Sequence, residues 1–311
     1  MPLPVPEVNL RFIPRSMPSP ATSVVTTRLL EITCEISGPP EGRPAILLHG
    51  WPDDIRTWDA SLPSLHARGW KTVVPYLRGF GATRFRDPST PRSGQLAALG
   101  QDVLDLADAL QLDHFSVVGH DWGARAAYIA ASLAPERIRN CVALSVGYGT
   151  NDPRQTLPLR QARNYWYHWY MAVDRGEQAV RSDRRAFTRF LWETWSPNWN
   201  FSEADFERSA ASFDNPDWAD VVLHSYRHRW GFVTGDPAYD ALEKKLTPAP
   251  PIGVDTLVIH GGADQCNDPA TSEGRKSFFR GRYERIVLEG LGHFPQRESH
   301  KVGGIIAEFL G

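Results

Sequence analysis

A chain of 311 residues with 34 Lys and Arg against 36 Asp and Glu is nearly neutral and has no run of five like charges, so neither nucleic acid nor an anionic membrane is expected as its main partner. Apolar residues make up 41% and charged residues 23%, as in an ordinary globular protein, and no apolar run approaches the roughly 18 residues that cross a bilayer. Cys34, Cys141 and Cys266 are odd in number and far apart, which excludes a disulfide framework or zinc-ligand spacing; no metal or cofactor is expected, and a reducing cytoplasm is the default location.

Residues 1–22 are Pro-rich and read as an extended lead-in. Prolines interrupt the apolar stretch that a secretion signal would need, so this segment is expected to stay uncleaved. Short apolar runs follow at Ala45–His49, Thr72–Leu77, Phe115–Gly119 and Arg139–Val146, then at Thr256–His260 and Arg282–Leu288. Such runs suit parallel strands buried on both faces. Between them Leu96, Leu99, Val103, Leu106 and Leu110 recur at helical spacing over Ser93–Leu112, and Asp121–Leu133 is rich in alanine. Strand and helix alternate, which predicts an α/β fold with a mostly parallel central sheet flanked by helices. The rhythm breaks over 148–231, which has no strand-like run and holds seven of the eleven tryptophans. This segment is read as an inserted helical cap between 23–147 and 232–311, the two parts of the core.

Gly119-His120-Asp121-Trp122-Gly123 joins a buried-type strand to the alanine-rich helix. It has the form of a nucleophile elbow with aspartate at its centre, although an N-cap role would also suit an aspartate there. At a helix N-terminus, backbone N–H groups and the helix dipole keep a carboxylate ionised. His49-Gly50-Trp51-Pro52 follows the first strongly apolar strand. GGADQCNDP and GLGHFPQ then bring Asp264 and His293 just past later strands, in the chain order nucleophile, acid, histidine.

From about Ala45 onward these motifs resemble the α/β-hydrolase superfamily, in its aspartate-nucleophile branch of epoxide hydrolases and haloalkane or haloacetate dehalogenases. The resemblance implies Asp121 as nucleophile, His293 as base and Asp264 as its partner, with the backbone N–H groups of Trp51 and Trp122 as an oxyanion hole. A carboxylate suits displacement at saturated carbon, because the ester it forms can be hydrolysed where a serine ether could not. Among rivals, Asp268 is the alternative acid, His260 reads as core and His120 as a structural hydrogen-bonder. Glu298 and His300 read as exposed positions of the last helix.

The resemblance also implies two lid tyrosines that polarise an epoxide oxygen, here Tyr167 and Tyr226. Tyr165, Tyr167 and Tyr170 crowd one segment, so packing is the competing account of Tyr167. Three residues pull toward the dehalogenases. His168 and Trp169 resemble their fluoride-binding pair, and Arg125 matches one arm of a carboxylate clamp whose other arm would fall at Trp122. The balance favours a cofactor-free epoxide hydrolase acting on a small hydrophobic substrate, with a dehalogenase and a non-catalytic binder of an aromatic ligand as alternatives. A homodimer is as compatible with the sequence as a monomer.

Overall fold

The computed structural model describes residues 21–150, 152 and 154–311; most of the Pro-rich lead-in lies outside the described residues. Nine strands form one sheet: β1 (Ala21–Thr26), β2 (Leu30–Ser37), β3 (Arg43–Leu48), β4 (Trp70–Pro75), β5 (Arg84–Phe85), β6 (Phe115–His120), β7 (Ile138–Leu144), β8 (Asp255–Gly261) and β9 (Tyr283–Leu288). Their spatial order is β1-β2-β4-β3-β6-β7-β8-β9, with β5 paired to β2. The pairs from β4 through β9 are parallel, and β1 and β2 add an antiparallel edge. This is the mostly parallel α/β sheet that the apolar runs predict.

Each of the six runs is a strand, with ends shifted by at most two residues. The alternation of side chains puts Ile46, Leu48 and Val117 into one apolar layer and Ala45, Leu47 and Val118 into the other. Burial on both faces explains why these strands are unbroken apolar runs. β2 has an exposed Glu31 between buried Leu30 and Ile32, so it carries no such signal, and neither does the exposed edge strand β1.

Among the described residues there are twelve α-helices: α1 (Leu62–Ala67), α2 (Leu96–Ala109), α3 (Trp122–Leu133), α4 (Leu159–Asn164), α5 (Trp166–Ala172), α6 (Asp174–Ser182), α7 (Arg184–Trp195), α8 (Glu203–Ala210), α9 (Trp218–Arg229), α10 (Asp240–Leu246), α11 (Pro295–Glu298) and α12 (Lys301–Leu310). Helices α2 and α3 cover one face of the sheet, α1 and α12 the other. Helices α4 to α10 lie between β7 and β8 in the chain. Of these, α10 returns to the sheet side, where Leu242 and Leu246 pack with Ala97 and Ala98 of α2. The others carry Trp192, Trp195 and Trp218 fully buried, continuous with the aromatic layer over the ends of β3 and β6.

A buried ion pair ties these parts together. Arg78, just past β4, donates to both Asp102 oxygens of α2 at 2.7 and 2.6 Å, to the Ser93 carbonyl at 2.8 Å and to the Tyr239 hydroxyl at 3.1 Å. Removing one partner of such a pair strands the other charge, which typically costs about 3–5 kcal/mol. Arg78→Met is therefore expected to lower unfolding stability by about that amount, read as a fall in the urea midpoint with little change in slope.

Candidate active site

Asp121 owes its position to a turn that few residues tolerate. Its backbone has φ 49° and ψ −111°, in a left-handed region that typically costs a non-glycine residue about 1–3 kcal/mol. The turn exists because α3 starts directly beneath β3. A Cβ on Gly123 would lie 2.2 Å from the Leu48 carbonyl oxygen, and one on Gly119 would lie 2.1 Å from the Gly123 carbonyl oxygen. Glycine is required at both positions by close backbone approach. The Asp121 side chain is directed to the loop after β3, where the Trp51 N–H donates to its Oδ1 at 3.0 Å. Trp122 opens α3, so its N–H belongs to the first turn, whose donors have no intrahelical partner.

His293 meets Asp121 from the loop after β9. Its Nε2 stands 3.6 Å from Asp121 Oδ2, an electrostatic approach rather than a formed hydrogen bond, and has no other partner. Its Nδ1 donates to Asp264 Oδ2 at 2.9 Å. Asp264, past β8, is held in turn by the N–H groups of Cys266 and Asn267 at 2.7 and 3.0 Å. The alternative acid, Asp268, is elsewhere: it caps Ala270 and approaches Arg160. His260 is buried in β8 with its nitrogens bonded to Ser272 and Asn267, though Nε2 also stands 3.3 Å from Asp264 Oδ2. His120 bonds the His293 carbonyl at 2.7 Å.

Several positioning groups carried no signal in the sequence. Ser145, at φ 62°, donates to the His293 carbonyl at 2.8 Å and accepts Asn267 at its own carbonyl. Glu298 corrects its reading as an exposed residue of the last helix. It lies on the short α11, half-buried, and accepts from the Gly292 and Phe294 N–H groups and Ser196 Oγ, gripping the His293 loop from both sides. Asp53 receives two bonds from Arg297 of α11 at 2.9 and 2.5 Å, which ties the Trp51 loop to the same support. Ser145 and the Asp53–Arg297 pair act between segments far apart in the chain, and Glu298 also ties its own loop to the distant Ser196, which no local pattern reveals.

The electrostatics follow from this arrangement. Burial pushes the Asp121 carboxyl up, but the close approach and charge of His293, with His120 and Arg125, outweigh it and hold the group below the carboxylate range. Burial likewise works against the imidazolium of His293, yet Asp264, Cys266 and Asp121 together raise it well above 6.5. Asp121 and His293 thus each favour the charged form of the other.

Two tyrosines complete the site. The Tyr226 hydroxyl of α9 accepts from the Trp122 indole N–H at 3.0 Å. The Tyr167 hydroxyl of α5 lies 3.5 Å from Cys266 Sγ, and that sulfur, an Asp121 oxygen and a His293 nitrogen lie within 4.8 Å of one another. The two tyrosine rings are 5.3 Å apart, and burial raises both phenols well above 10. Both side chains are 1–2% exposed.

Two expectations drawn from the dehalogenase resemblance part company here. His168 is buried, with Nδ1 accepting from the Trp230 indole at 2.9 Å. Trp169 is 37% exposed and donates to the Ala162 carbonyl, so it is not in the pocket. Successive helical residues point about 100° apart, and a helix that buries His168 turns Trp169 outward. Arg125 is buried one turn after Asp121.

The fold and this constellation define an α/β hydrolase, and the chain belongs to the alpha/beta hydrolase fold family, whose model matches residues 44–299. Within that family it is epoxide hydrolase-like. It is 28% identical to an epoxide hydrolase of Caballeronia sordidicola over 86% of this chain and 87% of that one. It is 24% identical to epoxide hydrolase A of Mycobacterium tuberculosis over 94% and 98%. A Klebsiella pneumoniae structure, provisionally called an epoxide hydrolase, superposes with a TM-score of 0.87 at 36% identity, covering 92% of this chain and 97% of that chain.

The contact between Gly123 and β3 is open to test. Gly123→Ala is expected to cost about 1–3 kcal/mol by overpacking, because the added carbon must push the Leu48 carbonyl away. Denaturant melts would check the loss, which should exceed that of Gly304→Ala, where a Cβ meets nothing.

Proposed function

We propose that the protein is an epoxide hydrolase that converts a hydrophobic epoxide to a vicinal diol through an ester on Asp121. The observation that carries this reading is the pair of protonated tyrosines, Tyr167 and Tyr226, on the same side as the buried carboxylate. Asp121 attacks an epoxide carbon, the carbon–oxygen bond breaks, and the tyrosine hydroxyls donate to the oxygen as it gains charge. The names of the relatives agree with this reaction. Asp121, His293 and Asp264 then act as a catalytic triad beneath a helical cap formed by α4 to α9.

The second step follows from the coupling of Asp121 and His293. Esterification removes the negative charge 3.6 Å from Nε2, and with it one of the influences that raise His293. The imidazole then loses its proton more readily and can activate water toward the ester carbonyl. Asp264 holds Nδ1–H and stabilises the imidazolium that results. The N–H groups of Trp51 and Trp122 receive the oxyanion. A dehalogenase would use the same three residues, but the Trp122 indole N–H is already engaged by Tyr226 and Trp169 faces outward.

His293→Gln, incubated with styrene oxide and other aryl epoxides, is expected to gain the mass of one whole epoxide on the peptide containing Asp121. A gain of a haloalkane less its hydrogen halide, with no epoxide adduct, would replace this reading by the dehalogenase. Asp121→Asn should lose turnover by at least about a thousandfold, as removal of a covalent nucleophile does.

The two half-reactions should also separate by pH. Asp121 has a lowered pKa, so ring opening stays constant as pH falls from 8 toward 5. Ester hydrolysis needs neutral His293, which Asp264 and Cys266 still raise once Asp121 is esterified, so that step slows as pH falls. Rapid-quench measurement of ester accumulation checks this: the ester should build up at the acid end. Equal slowing of both steps would contradict the assignment of His293 to the second one.

A further inference from the structure

Neither step of the proposed reaction uses the thiol of Cys266, yet the fold sets it inside the site. Cys266 is fully buried, two residues past Asp264 on the loop after β8. Its N–H donates to Asp264 Oδ1 at 2.7 Å and its carbonyl accepts from Gln161 Nε2 at 2.8 Å, so the backbone that carries the sulfur is held on both sides. Sγ stands 3.5 Å from the Tyr167 hydroxyl. Among the described residues, this sulfur, an Asp121 oxygen and a His293 nitrogen make up a buried set of metal-ligating atoms within 4.8 Å of one another.

A second observation comes from His293. Its Nδ1 is committed to Asp264, while Nε2 is fully buried, has no hydrogen-bond partner and stands 3.6 Å from Asp121 Oδ2. A histidine that gives one nitrogen to a carboxylate and keeps the other free has the form of a metal-bound imidazole, whose outer N–H is held by just such a group. Thiolate, imidazole and carboxylate together select a borderline or soft divalent ion over Mg²⁺ or Ca²⁺, which take oxygen ligands. A tetrahedral ion with bonds of about 2.0–2.3 Å places its ligand atoms roughly 3.3–3.8 Å apart, so the set needs to close by about 1 Å at its widest. Charge balances as well. The ion displaces the thiol proton of Cys266, which burial retains on the sulfur, and the ring proton from Nε2 of His293. Two protons leave for one divalent cation, and a buried site that gains no net charge escapes the large cost of burying one.

We propose that Asp121, Cys266 and His293 form a binding site for a thiophilic divalent cation such as Zn²⁺ or Cd²⁺, and that its occupation reversibly inhibits the enzyme. The ion takes the carboxylate that would attack the epoxide and the nitrogen that would activate water, so both steps stop together. Inhibition rests on the epoxide hydrolase reading, whereas binding does not. The ligands come from the loops after β6, β8 and β9, which is why no spacing in the sequence announces the site. Cys34 in β2 and Cys141 in β7 are buried in the apolar layer and serve as internal controls for thiol chemistry.

The test titrates wild type and Cys266→Ala with Cd²⁺ and Zn²⁺, with Cys266→Ser in reserve should the alanine variant fail to fold by circular dichroism. Wild type is expected to bind one Cd²⁺ per chain with the ultraviolet absorption of a cadmium–thiolate bond, and to lose styrene oxide turnover in step with that band. EDTA should restore both. In the Cys266 variant the band should vanish, although Cys34 and Cys141 remain, and the metal concentration that halves its own turnover should rise by at least about a hundredfold, since even outer-shell partners of a metal are worth tenfold to a hundredfold. His293→Gln should weaken Cd²⁺ binding comparably, read from the band alone. Equal inhibition of wild type and the Cys266 variant, or a band that persists in that variant, would overturn the site. Mg²⁺ inhibiting as well as Zn²⁺ would overturn the thiolate as a ligand. Cd²⁺ binding that depends on both Cys266 and His293, in a protein that turns over no epoxide, would uphold the site and remove the hydrolase reading, and inhibition with it.

Discussion

The site depends first on how closely the start of α3 can approach the end of β3. Only because Gly119 and Gly123 lack side chains does the backbone reverse within Gly119–Gly123, forcing Asp121 to φ 49°. That conformation is unfavourable in isolation. It persists because β6 is buried on both faces and paired to β3 on one side and β7 on the other, so the chain has no room to relax. Strain in the turn and rigidity of the sheet are two sides of one arrangement. The same approach brings the Trp51 N–H to the buried Asp121 carboxylate, linking the strained turn to its electrostatic support.

The sheet also explains why a histidine and a second acid converge on that turn. Strands β6, β8 and β9 run parallel, so the loops bearing Asp121, Asp264 and His293 emerge at the same end, where ligands bind in open α/β sheets. Orientation is then set by groups that close around the His293 backbone. The His293 carbonyl is held by Ser145 and His120, and the N–H groups on either side of His293 are held by Glu298. His293 is thereby fixed through its backbone, leaving the ring free to face both carboxylates.

This division governs what a reader of the sequence can see. The central strands were legible because burial on both faces leaves unbroken apolar runs, and Asp121 because a steric need for glycine leaves a motif. Asp264 and His293 were legible from loop position and chain order. Ser145, Asp53 and Arg297 were not, since their roles arise from contacts between segments remote in sequence, and Glu298 was not, since only the folded loop turns its carboxylate back onto the Gly292 and Phe294 N–H groups. Trp169 shows the converse failure: a dipeptide resemblance promoted two adjacent residues to one pocket, whereas the helix that buries His168 turns Trp169 outward.

The aromatic layer over the site gives these buried charges their effect. Trp51, Trp122, Tyr167, Tyr226 and Trp195 form a contiguous cluster of rings, and nearly every one is fully buried. Removing water strengthens each interaction between the groups that remain, which is why His293 and Asp121 shift each other so far. The same low polarity favours the protonated form of both phenols, and the Tyr226 hydroxyl accepts the Trp122 indole N–H. Apolar packing and polar groups are therefore not separate features of this site: the rings exclude water, and exclusion of water couples the buried carboxylate to the imidazole beside it.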